Sequence, residues 1–407
     1  MPDPYRKNLS KTYHTKQFEQ YLNYIVELRH KIKEHSLSLY SKYFESYSFH
    51  PNPSPDAQIL KKIHYSYQRY DLRLSTEDWL NTLYGLENMA LENDGLFVKS
   101  GMSAFLTIFL TLKRYDPSLM NVALSSHGYF ETEAMLAHHT HLFQIEHYSE
   151  SMQKTPDIAV LDSTAVLPQQ HLWSQAKILI IDTTLWESNN QTISDLLEKV
   201  HFKGIILLLR SHIKLDCFGL EVNRLGSIVV VKTQEADFEI KKLKIALHET
   251  ACNIGCNFNI DDFYPWLFNK EFHNLCKIRT EQIKFFTRKI YHQILSVIDQ
   301  DNSSFQFSTG QHDLFVVLKF KRNKKTNQRL FHFSNPVQRY ARSIASMARA
   351  SGLPMIHSAS FGLCCTSIDG HLNKEGNAGY LRLAPTPNMN LEQATKISDF
   401  IVGLCKK

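Results

Sequence analysis

The chain has 407 residues, of which 43% are hydrophobic and 21% charged. At roughly 150 residues per domain, that predicts two or three domains with a sizeable core and excludes a disordered or fibrous protein. Lysine and arginine number 46 against 40 acidic residues, a net charge of +6 that is not gathered into long basic runs, so nucleic acid is not an expected partner.

The first residues, Met1 to Lys11, are polar, and no apolar stretch reaches the roughly 18 residues of a membrane span. A cytoplasmic protein with no membrane partner is expected. Phe18, Tyr21, Leu22, Ile25, Leu28 and Ile32 recur at helical spacing within 17–44, and Pro51, Pro53 and Pro55 then stop the helix. Residues 1–75 therefore read as a helical arm and linker. An amphipathic helix is predicted over Thr76–Glu92, with Ser75 or Thr76 as its N-cap and Gly95 as its stop.

Short apolar runs follow at 96–98, 122–124, 158–161, 178–181, 205–209 and 228–231. Bounded by polar turns and separated by crossover lengths, they predict a mostly parallel α/β domain over 76–260 with its sheet buried on both faces. Beyond it, a helix over 264–298, a strand over 314–320, a helix over 336–350, strands over 355–358 and 380–383 and a helix over 391–405 predict a smaller C-terminal α+β domain over 261–407. The seven cysteines, an odd number spread from Cys217 to Cys405, predict reduced thiols. Cys252, Cys256 and His248 lack a second ligand pair, so no metal is expected.

Ligands of an open α/β sheet collect at the carboxyl ends of its strands. Four segments suit that edge. Lys99-Ser100-Gly101-Met102-Ser103-Ala104 ends a strand and opens an apolar helix, where backbone N–H groups favour a phosphate; an ordinary strand-to-helix turn reads the same way. Asp182 closes a buried strand and suits either a protonated ring nitrogen or the N-cap of a helix. Ser211-His212-Ile213-Lys214 follows another strand, and a lysine desolvated there forms an imine with an aldehyde, although most lysines are solvated. Ser126-His127-Gly128-Tyr129 places an aromatic over the edge, for stacking or for packing. Phosphate cradle, aromatic plate, acid and lysine, in that chain order, fit pyridoxal 5′-phosphate (PLP).

At these residues the sequence resembles the fold-type I PLP enzymes of cysteine and methionine metabolism, the family of cystathionine synthases and lyases and methionine γ-lyase. Ala90-Leu91-Glu92 leading to Ser100-Gly101-Met102-Ser103-Ala104 is similar to the family's A-L-E and SGM-x-A. Tyr67-x-Arg69 is similar to Y-x-R, Ser211-x-x-Lys214 to the S-x-T-K of the Schiff-base lysine, Ser360-Phe361-Gly362 to S-L-G, and Arg382 to the arginine for the substrate carboxylate.

The resemblance implies a fold-type I transferase fold: a central mostly parallel sheet, a smaller C-terminal domain and an N-terminal arm. It implies Ser100, Gly101, Met102 and Ser211 at the phosphate, Tyr129 on the ring, Asp182 at the ring nitrogen and Lys214 at the aldehyde. Ser360 and Arg382 would bind the substrate, and Tyr67 and Arg69 would act across a homodimer or homotetramer interface. The implied activity is β- or γ-elimination or γ-replacement on an amino acid, with Lys214 moving the α-proton. An aminotransferase or decarboxylase of the same fold, or a non-catalytic binding protein, is the alternative.

The chain also departs from the family. Asp71-Leu72-Arg73 stands in place of NPT, Ile213 in place of a Thr or Ser, and Asp162-Ser163-Thr164-Ala165-Val166 where the family has an acidic residue and Asn-Pro. Leu215-Asp216-Cys217-Phe218-Gly219 follows the lysine instead of Tyr and Gly-His-Ser. These differences mark a divergent member.

Overall fold

The computed structural model describes parts of 20–31, residues 44–46 and 72–74, and residues 79–405 except 88, 90, 126–127, 151, 153, 166, 188–192, 194, 198–201, 220–223, 234–237, 259–266, 268, 300–302, 311, 321–335, 359–364 and 373–378. Tyr67, Arg69, Ser126, His127, Ser360 and most of the expected arm lie outside the described residues. Phe44, expected at the end of the arm helix, instead opens a short strand, β1 (Phe44–Ser46), paired antiparallel with β2 (Leu72–Leu74).

The chain divides into two compact units, one of 31–217 with 221–274 and the other of 1–30, 218–220 and 275–407. The first is built on a seven-stranded sheet of β3 (Glu92–Val98), β4 (Asn121–Leu124), β5 (Gln144–His147), β6 (Ile158–Asp162), β7 (Ile178–Asp182), β8 (Ile205–Ser211) and β9 (Gly226–Lys232), in the spatial order β3-β9-β8-β7-β6-β4-β5. Strand β9 runs antiparallel to both neighbours and the other pairings are parallel. The carboxyl ends of β3, β8, β7, β6 and β4 therefore share one edge with the start of β9.

Side-chain alternation explains why these strands read as unbroken apolar runs. Leu179, Ile181, Ile206, Leu208, Val229 and Val231 enter one core, with Leu80, Leu83 and Tyr84 of α1 (Trp79–Tyr84). Ile178, Ile180, Leu207, Leu209, Ile228 and Val230 enter the other, under α2 (Gly101–Tyr115) and α4 (Ile240–Asn253). A shorter helix, α3 (Phe130–Ala137), follows β4.

The helix expected over 76–92 is corrected by the structure. It is described only as α1, which ends before Gly85 at φ +69°, while Gly95 lies inside β3. A Cβ on Gly95 would come within 2.6 Å of Leu80 Cδ1, so this glycine admits the helix onto the strand and does not end it.

The second unit carries α5 (Lys270–Leu295, which begins in the first), α6 (Pro336–Ala350) and α7 (Leu391–Cys405). Its sheet holds β10 (Phe305–Thr309), β11 (Val316–Phe320), β12 (Met355–His357), β13 (Thr366–Leu372) and β14 (Gly379–Ala384), in the order β10-β11-β14-β13-β12. Helix α6 buries Val337, Ala341, Ile344, Ala345 and Ala348, the 3.6-residue stripe of a helix lying on a sheet. No helix among the described residues is long and apolar enough to cross a membrane.

Candidate active site

The shared edge of the seven-stranded sheet brings together described residues of all four sequence-predicted segments, each from the end of a different strand. After β3, Ser100 is extended and caps α2, its Oγ accepting from the Ser103 N–H at 3.1 Å. The N–H groups of Gly101 and Met102 are first-turn donors, which a helix leaves without acceptors of its own. This turn is pressed against the neighbouring strands. A Cβ on Gly101 would lie 2.9 Å from Ser211 Cβ, and one on Gly226 would lie 2.4 Å from the Ser100 carbonyl carbon and 2.8 Å from the Gly101 nitrogen. Because Ser211 and Gly226 are register partners, the ends of β8 and β9 form the floor of the turn. Gly226 went unremarked in the sequence.

Asp182 ends β7 directly beside Asp162, which ends β6, and both are buried. Asp182 accepts from the Thr184 N–H at 2.8 Å. Asp162 accepts from the N–H and hydroxyl of Thr164, both at 2.7 Å, and from the backbone N–H of Tyr129. Burial, and then the charge of Asp162, pushes the Asp182 carboxyl up to about 7. Asp162 is raised as well, by burial. Asp162 thereby gains a function the sequence reading did not give it: it holds the turn that starts α3 and carries Tyr129. Gly128 makes this approach possible, since a Cβ there would meet the Asp162 carboxylate at 2.9 Å. Nearby, Ser125 Oγ, just past β4, is buried with no hydrogen-bond partner among the described residues.

Lys214 follows β8 in the turn that leads to the short 3-10 segment Leu215–Cys217. The Ser211 N–H donates to Thr184 Oγ1 at 3.0 Å, tying the start of this turn to the segment after Asp182. Beneath it runs a buried polar network that sequence reasoning missed. Arg210 meets both carboxylate oxygens of Asp216 at 2.6 Å, and His212 contacts Asp216 Oδ2 and Ser227 Oγ at 2.7 Å each. Tyr84 Oη lies 2.9 Å from the same Ser227 hydroxyl. Burial alone raises Asp216, but the Arg210 guanidinium and His212 hold it well below the usual carboxylate range, while burial lowers His212. A charged residue in the apolar run of β8 was the one available signal, because a buried arginine requires a partner.

Arg382 belongs to the second unit, on β14. Its Nη2 donates to Asp369 Oδ2 at 2.6 Å and its Nε to Oδ1 at 3.1 Å, and the guanidinium lies 5.3 Å from the Phe315 ring centre. Asp369 also contacts His371 Nε2 at 2.9 Å. The arginine singled out for a carboxylate thus already holds one from its own chain.

No protein-family model matches the sequence, and no curated protein matches it. Solved structures do. A cystathionine γ-lyase from Lactobacillus plantarum, complexed with L-serine, superposes with a TM-score of 0.52 at 14% identity, over 89% of this chain and 93% of that one. An aromatic amino acid aminotransferase from Burkholderia cenocepacia gives 0.52 at 12% identity, over 89% and 90%. A methionine γ-lyase from Micromonospora echinospora gives 0.50 at 13% identity, over 78% and 83%. The architecture is therefore the mixed α/β fold of the fold-type I PLP enzymes, as the resemblance implied.

Proposed function

We propose that this chain binds pyridoxal 5′-phosphate at the sheet edge and acts on an amino acid as a lyase or transferase, by β- or γ-elimination or γ-replacement. The observation that carries this reading is the meeting, at one edge, of a glycine-floored helix N-terminus, a buried carboxylate pair held by neutral donors, and a lysine turn.

The residues present fit the cofactor. Gly101 and Gly226 let the ends of β8 and β9 close directly against the turn, and its first-turn N–H groups at Gly101 and Met102, with Ser100 and Ser211, would hold the phosphate. Two adjacent buried carboxylates suit a protonated ring nitrogen, whose charge would lower Asp182 again. Lys214 would hold the aldehyde and Tyr129 would cover the ring. When bound, the cofactor supplies an electron sink for charge developed at the substrate α-carbon.

The chain's own groups do the rest. Asp182 keeps the ring nitrogen protonated, the Lys214 amine takes and returns the α-proton, and Tyr129 donates to the departing group. On the resemblance alone, Arg382 and Ser360 are proposed for the substrate carboxylate, and Tyr67 and Arg69 for the phosphate of a neighbouring subunit in a homodimer or homotetramer.

Addition of PLP to the purified protein should produce a visible absorption band that Lys214→Ala abolishes, and Asp182→Ala should remove most of the rate. An unchanged band in the lysine variant overturns the assignment. Pyruvate from an amino acid substrate indicates β-chemistry and 2-oxobutyrate γ-chemistry, whereas amino transfer to a keto acid would replace this reading by a transaminase.

A further inference from the structure

Arg210 and Asp216 form a bidentate ion pair with side-chain exposures of only 0% and 1%. Desolvating two charges cancels much of their attraction, so stability alone is a weak reason for such a pair, and fixing register is its best-attested use. What this pair joins is specific. Lys214 lies between Ser211 and Asp216 in sequence. On one side the Ser211 N–H donates to Thr184 Oγ1; on the other Asp216 is gripped by Arg210, whose Nη1 donates to the Thr183 carbonyl at 2.6 Å. Both tethers end on the two residues that follow Asp182. Through His212, Ser227 and Tyr84 the second tether continues across β9 to α1.

We propose that Arg210, together with Asp216, is a positioning residue that sets Lys214 against Asp182, so that the amine and the carboxylate address opposite ends of one ring. The inference rests on the cofactor reading above. A planar guanidinium reaches two carboxylate oxygens and a carbonyl at once, which the compact ammonium of a lysine does not.

Two variants test it. Arg210→Lys keeps the charge and loses the fork. Arg210→Met combined with Asp216→Asn removes both charges and leaves an amide for His212, which guards against the unfolding that one unpaired buried charge would cause. PLP is titrated into each variant and into the wild type, and the dissociation constant, the pH midpoint of the visible band and the melting temperature are read. Ile206→Val, in the core at the opposite end of β8, provides a purely structural comparison.

Both strap variants should bind PLP about tenfold more weakly or worse and shift the band's midpoint, whereas Ile206→Val lowers the melting temperature and leaves binding and midpoint alone. Wild-type binding and midpoint in both strap variants overturn the positioning role and leave the cofactor reading standing. A wild-type protein that gives no band with PLP removes the reading and this inference together.

Discussion

Asp182 and Asp162 stand side by side because parallel strands β6 and β7 end in register, and this adjacency governs how the site titrates. The folded-state value of Asp182, about 7, lies above its unfolded value near 3.8, so the folded protein holds that proton more tightly. Its contribution to stability is fully present in acid and is lost as the pH rises from about 4 through about 7. Asp182→Asn, which cannot ionise, should therefore raise the melting temperature of the cofactor-free protein above pH 7 and match the wild type near pH 4. Thermal melts across that range check the sign, and a variant less stable than the wild type at pH 8 contradicts it. The same carboxylate destabilises the empty site and suits a cationic ligand, as expected of a group placed for function.

At the scale of elements, the edge depends on how closely the start of β9 approaches the turn between β3 and α2. Gly226→Ala would place a methyl group 2.5 Å from the Ser100 carbonyl oxygen, against backbone that has no flexible end to move aside. The substitution should cost about 1–3 kcal/mol of stability, measured by denaturant unfolding, and should weaken phosphate-dependent binding of PLP more than that of pyridoxal. Equal loss for the two ligands would separate Gly226 from the phosphate.

The elements themselves were unequally legible. Strands β6, β7 and β8 are covered on both faces and announce themselves as apolar runs, whereas Gln144–His147 and Thr366–Leu372 do not. The first lies at the sheet edge, where half its residues are exposed. The second carries Asp369 and His371, buried polar groups that break the pattern and find their partners only in the fold.

For the molecule as a whole, a ligand that binds only the folded state stabilises it in proportion to the logarithm of its concentration. PLP at a hundredfold excess over its dissociation constant should add about 2.7 kcal/mol, seen as a concentration-dependent rise in melting temperature. Lys214→Ala should lose most of that rise, since removing the covalent anchor weakens binding. A rise of equal size in this variant would place the stabilising PLP elsewhere.

Much of the fold follows from local chemistry. Alternating apolar runs and crossover lengths predict a buried, mostly parallel sheet, and the strand ends point to Ser100, Gly101, Asp182, Ser211 and Lys214 as one chemical edge. Local pattern alone thus reveals the buried strands β6, β7 and β8 and the chemically distinctive residues at the ends of β3, β7 and β8. Which of those ends meet is set by the three-dimensional arrangement of the strands. Arg210 and Asp216 lie six residues apart, but the Thr183 carbonyl they are tied to lies 27 residues from Arg210, and Ser227 reaches His212 across 15. Those meetings are set by the order β9-β8-β7-β6, which places β7 and β9 on either side of β8 and β6 beside β7. Sheet order depends on long-range packing and hydrogen bonding between strands, and no periodicity within a single strand encodes it.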